Sequence, residues 1–206
     1  MRPHRRARDS RGVALLEAAL VLPLLLFLAI GMIESGFAWR DANGLARATQ
    51  SAARIDARVA DARSADYDAL RSLQSGLSSI SASSIVKVII YDASTTANRP
   101  PQDCLDQNRP DDTTVRGVMG LCNVYSATQV STDDPTKFAT INCAGQSWDR
   151  NWCPSDRDRD GDDADRVGVW VELRYDKVTK VLPVDLALTH GAVFQLEPCI
   201  AGDPSC

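Results

Sequence analysis

Histidine occurs only twice in this chain of 206 residues, as His4 and His190, and no cysteine precedes Cys104. No C-x-x-C, H-E-x-x-H or G-x-S-x-G is present, and Gly117-Val118-Met119-Gly120 is too short to cradle a phosphate. These absences argue against structural zinc, metallohydrolase, serine-hydrolase and nucleotide-dependent chemistry, so no catalytic residue and no enzyme is expected. His190 lies alone within an expected strand and reads as structural or surface. Proline is missing between Pro23 and Pro100, which leaves an early helix free of its usual breaker. Basic charge is scarce beyond the N-terminus. Residues 1–12 hold Arg2, Arg5, Arg6, Arg8 and Arg11 against Asp9, while the remainder carries 18 basic against 26 acidic residues. An acidic body repels phosphates, so no nucleic-acid partner is expected.

What the sequence does have is one long apolar run. Val13 to Ile33 reads VALLEAALVLPLLLFLAIGMI, with Glu17 its single charge. A helix of that length, at ~1.5 Å per residue, spans roughly the ~30 Å of a bilayer's hydrocarbon core. The preceding arginines predict a cytoplasmic N-terminus and an extracytoplasmic C-terminal part, a single-pass membrane protein. A cleaved secretory signal, with Gly36-Phe37-Ala38 as its processing site, and a plain uncleaved anchor are the competing readings. Glu17 separates them. A carboxylate in hydrocarbon costs ~2.5 kcal/mol or more and marks a partner, unless it snorkels to the interface one turn away.

The order is a basic stretch, Gly12, four apolar residues, Glu17 as fifth residue from Val13, then the apolar run. It resembles the class III signal of type IV pilins and pseudopilins. Arg11-Gly12, Leu22-Pro23 and the exit Ile33-Glu34-Ser35-Gly36 narrow the resemblance to the TadE/TadG-like family, minor pseudopilins of tight-adherence (Flp) pilus systems. Where that family often has an aromatic after the glutamate, Ala18 stands here. The resemblance implies cutting by a prepilin peptidase between Gly12 and Val13, with the apolar segment retained. It implies that Glu17 aligns subunits by pairing with a neighbour's new terminal amine. It also implies other pilins, pseudopilins and the pilus assembly machinery as partners. Joining a buried carboxylate to a buried ammonium relieves the cost of both.

The expected fold class is α+β: a long N-terminal helix continuing into a small, mostly antiparallel sheet. Helical character runs from about Ala14 to Ala62, with Ala38, Ala42, Leu45, Ala46, Ala52 and Ala53 making a small-residue stripe. Asp66 to Ile80 reads as a second helix capped by Asp66. Residues 85–91, 167–175 and 186–196 read as strands by β-branched content and alternation. Residues 93–165 read as one long irregular region in need of fastening. The organisation expected is a basic cytoplasmic leader over 1–12, a transmembrane helix over 13–33, its continuation over 34–65, and an extracytoplasmic domain over 66–206. The family's C-terminal end often reads like Leu196-Glu197-Pro198.

Cys104, Cys122, Cys143, Cys153, Cys199 and Cys206 all follow the membrane segment and read as up to three disulfides on the oxidising side. Fifteen connectivities are open, and sequential closure is the most economical. Asp156, Asp158, Asp160, Gly161, Asp162 and Asp165 match the front half of an EF-hand loop; position twelve is Val167 instead of Glu. Two readings stand. One is a structural calcium ion held by Asp156, Asp158, Asp160, Asp162 and Asp165; the other is a solvated loop whose acids are offset by Arg157, Arg159 and Arg166. No cofactor is required by either. The functional alternatives are a TadE-like pilus component and an anchored or secreted binding module, calcium-dependent or not, unrelated to pili.

Overall fold

The computed structural model describes residues 11–59, 62–96, 98–107, 116–138, 143, 147–159, 164–177 and 186–198. The chain falls into two compact units, Met1–Trp39 with Lys177–Val184, and Arg40–Asp176 with Asp185–Cys206. One helix, α1 (Arg11–Val59), contributes its residues up to Trp39 to the first unit and those from Arg40 to the second.

In the first unit, residues 12–30 of α1 are rich in Leu and Ala, both strong helix formers. The helix continues through Pro23. Its large apolar side chains from Val13 to Ile33 are exposed, apart from a half-buried Ile30. That is the pattern of a helix whose surroundings are themselves apolar.

The second unit is α+β, as expected. Its sheet has five strands: β1 (Ile85–Asp92), β2 (Arg116–Val118), β3 (Cys122–Tyr125), β4 (Arg166–Arg174) and β5 (Ala187–Gln195). The order is β2-β3-β1-β4-β5 and every pairing is antiparallel. The β-branched strand IVKVIIYD lies at the centre, where both of its faces are covered. One face carries Val88, Ile90, Tyr125, Val167, Val169, Val171 and Leu173, and it packs with α1 and with α2 (Ala65–Gly76). The helices contribute Leu45, Ala48, Ala52, Ala53 and Ala57 from α1 and Ala69, Leu70 and Leu73 from α2. Burying each of the leucines contributes about 1.5–3 kcal/mol. The alanines contribute closeness instead. A Cβ on Gly76 would lie 2.7 Å from the Ala48 Cβ, so α2 crosses α1 where neither has bulk.

The other face holds Ile89, Tyr91, Val124 and Cys122 with Ala93 and Cys104. Tyr91 lies flat over Gly168, its register partner, where an added Cβ would come within 2.2 Å of the ring. Burial pushes the Tyr91 hydroxyl up to about 12. Cys104, on α3 (Gln102–Leu105), is bonded to Cys122 on β3 and fastens the crossing segment to this face.

Two expectations are corrected. Residues 93–165 are not one irregular stretch: they contain α3, β2, β3 and α4 (Ala127–Val130). The turn of α4 is fixed by a reciprocal capping box between Ser126 and Gln129. Asp66 does not cap α2; Ser64 occupies that position and its hydroxyl donates to the Asp68 carboxylate. Asp66 is buried.

Candidate functional site

The N-terminal motif lies on the exposed part of α1. Gly12, Val13 and Glu17 are all exposed within the helix that begins at Arg11, and nothing comes within 4 Å of where a Gly12 Cβ would sit. Gly12–Val59 is the one helix among the described residues long and apolar enough to cross a membrane, its best window having a mean hydropathy of 2.7. On leaving the apolar run the helix bonds to itself: the Ser35 hydroxyl donates to the Gly31 carbonyl at 2.8 Å.

The acidic loop divides. Asp156 ends a short 3-10 turn (Pro154–Asp156), and Asp156 and Asp158 are exposed. The Asp165 carboxylate accepts from the Asp158 backbone N–H at 2.8 Å and from the Ser94 hydroxyl at 3.3 Å. Asp160 and Asp162 lie outside the described residues. Among the described residues no three His, Cys, Asp or Glu side chains form a metal-holding group. Cys143 and Cys153 form the second disulfide, with a Cα–Cα distance of 5.8 Å; Cys199 and Cys206 lie outside the described residues.

Arg157, set in the middle of that acidic run, does not offset its neighbours. It points into the core, its side chain fully buried along with those of Asp56 and Asp66. One guanidinium nitrogen donates to Asp56 Oδ1 at 2.9 Å, and the other donates to Asp66 Oδ1. The guanidinium also lies 4.2 Å from the centre of the Trp152 ring, a cation–π contact. The second oxygen of Asp66 accepts from the Tyr125 hydroxyl and, at 2.9 Å, from the Asn123 side-chain amide. Asn123 fixes the disulfide loop through its other contacts. Its amide donates to the Trp152 carbonyl at 2.8 Å, and its Oδ1 accepts from the Asn151 and Trp152 backbone N–H groups at 3.1 and 2.9 Å. Asp149, also buried, accepts from the Ser147 hydroxyl.

Four elements therefore meet at one point: α1 through Asp56, α2 through Asp66, β3 through Asn123 and Tyr125, and the Cys143–Cys153 loop with its exit through Asp149, Trp152 and Arg157. Burial raises the Asp56 carboxyl; Arg157 pulls it back and Asp66 adds to the rise, leaving it at about 7. Burial likewise lifts Asp149 to about 7, with Asp66 adding to the rise. Burial and the nearby Asp66 hold the Tyr125 hydroxyl well above its ordinary value. For Arg157 burial pulls the other way, and Asp66 and Asp56 outweigh it, so the guanidinium stays charged. None of this cluster is visible in sequence spacing: Asp56 and Arg157 are 101 residues apart.

No curated protein and no solved structure matches this chain. The family comparison falls on the exposed, motif-bearing helix: residues 12–54 match the model of the family described as TadE-like protein, so this segment is TadE-like.

Proposed function

We propose that the chain is a TadE-like minor pseudopilin, a structural and assembly component of a bacterial tight-adherence (Flp) pilus. The observation that carries this reading is the coincidence of three features. The family match over residues 12–54 begins at the expected processing glycine, it covers an unbroken helix, and that helix exposes apolar side chains all round from Val13 to Ile33. In this reading the basic leader stays in the cytoplasm and the five-stranded unit lies outside it. A prepilin peptidase cuts after Gly12. The freed Val13 ammonium of one subunit pairs with Glu17 of its neighbour inside the membrane, where either charge alone is costly. The role is structural, and the partners are other pilins, pseudopilins and the machinery that assembles them.

The test is the N-terminal residue of the mature protein from native membranes, beside a Gly12→Leu variant. A chain starting at Val13 in the parent and at Met1 in the variant supports processing. A start at Met1 in both makes the segment a plain anchor. A start near Trp39 makes the body a secreted domain.

A further inference from the structure

The Asp56–Arg157–Asp66 junction has an unbalanced composition. Three buried carboxyl groups, Asp56, Asp66 and Asp149, share one guanidinium, Arg157. Asp66 is saturated by Arg157, Tyr125 and Asn123. Asp56 and Asp149 are not: Asp56 Oδ2 and Asp149 Oδ2 are buried without a hydrogen-bond partner among the described residues. An ionised oxygen in that position bears the full cost of lost hydration, whereas a protonated one bears much less. With all three groups ionised the cluster carries two excess negative charges at short range in a poorly screened interior.

We propose that this cluster is a proton-binding site that controls how firmly the body holds the end of α1. With protons on Asp56 and Asp149, the Arg157–Asp66 pair stands balanced and α1 is clamped through Asp56. With the protons gone, the like charges oppose one another across the same contact and the clamp loosens. The groups facing Asp56 are Arg157, Asp66 and Asp68; those facing Asp149 are Asp66, Arg157, Tyr125 and the Ser147 hydroxyl. They come from α2, β3 and the segment after Cys143, so proton release is felt where these three elements meet the end of α1.

The direction is opposite to that of an ordinary paired carboxylate. Both groups hold their protons more tightly folded, at about 7, than unfolded, near 3.8. Between those values the folded state carries more protons, so the stability these two groups contribute is fully present below about 3.8 and is lost as pH rises through about 7. Above about 7 both states are ionised at these groups and the dependence levels off.

The experiment uses the full chain in detergent micelles. Side-chain carboxyl resonances are followed by carbon NMR against pH, with Asp149→Asn and Asp56→Asn as assignment variants. Two aspartates titrating above about pH 6 are expected, together with an unfolding temperature about 5 °C or more lower at about pH 8 than at about pH 5. Amide exchange over residues 52–59, corrected for its intrinsic pH dependence, is expected to accelerate across the same range, and Asp149→Asn to flatten it. All aspartates titrating below about pH 5 in the parent overturns the proposal, as does a pH profile unchanged by Asp149→Asn. The parent titration decides the matter even if Asp56→Asn does not fold.

Discussion

The two halves of α1 solve the same problem, covering a helix's side chains, with opposite means. From Val13 to Ile33 the helix is dressed in leucine, valine, isoleucine and phenylalanine on all sides. From Leu45 to Ala57 it buries a narrow stripe of one leucine and four alanines together with Thr49 and Asp56. Large residues all round suit an apolar liquid, which conforms to any shape. A stripe of alanine suits another piece of protein, because close approach replaces area. Each half also carries one carboxylate, and the comparison extends to them. Glu17 lies exposed on the apolar half, and in the proposed reading a neighbouring subunit answers it. Asp56 lies on the buried half, where Arg157 answers it from within the same chain.

Breaking the internal answer should have the largest effect. Arg157→Met leaves Asp56 and Asp66 buried without their cation, which costs about 3–5 kcal/mol and unfolds or severely loosens the body. Membrane retention should be unchanged. Denaturant melts in micelles beside membrane fractionation check both halves, and a variant that melts like its parent removes the cluster from any structural role.

Next come the disulfide and the stripe. Cys143→Ser with Cys153→Ser opens a loop of sequence separation 10 that carries Asp149 and Trp152, at a cost of about 2–3 kcal/mol. A chemical denaturation midpoint measured with and without reductant reads this directly. Ala53→Leu, at a fully buried position, should destabilise the body by about 1–3 kcal/mol through overpacking. The reciprocal change Leu24→Ala, in the exposed half, should leave body melting within about 0.5 kcal/mol. Equal sensitivity at the two positions would erase the distinction between the halves.

The smallest stability effects sharpen the comparison most. Glu17→Gln should leave melting and membrane insertion untouched yet abolish incorporation into pili, scored by filament fractionation and immunoblot. Arg71→Ala removes a surface ion pair with Asp133 whose side chains are 41% and 84% exposed. It should change stability by no more than about 0.5 kcal/mol.

The elements that were legible in the sequence are those whose pattern is long enough to be periodic. The apolar run, the strand around Ile85–Tyr91 and the paired strands near 167–175 and 186–196 all announce themselves by composition. β2 and β3 do not, since strands of three and four residues, one with Gly117 at its middle and the two separated by a turn at Gly120, cannot establish an alternation. The Ser126–Gln129 capping box was available as a signal for α4. Sequential closure of Cys104–Cys122 and Cys143–Cys153, the most economical of the open pairings, is what the structure has. The charge cluster was hidden for a different reason. Arg157 sits between Asp156 and Asp158, and its local surroundings describe a solvated loop. Only the tertiary fold, which brings Asp56 and Asp66 to it, makes it a core residue. The same insertion alters the acidic loop, because an arginine directed inward between two exposed aspartates divides the run into separate pieces.

The Cys143–Cys153 ring also works as a latch. Asp149 and Trp152 lie inside it and Arg157 follows four residues later, so the ring ties together the groups that complete the core. Thiol oxidation takes seconds to hours, far slower than helix or hairpin formation. A bond formed that slowly is added to a loop whose Asp149 and Trp152 already belong to the buried cluster, so it secures that junction against later opening.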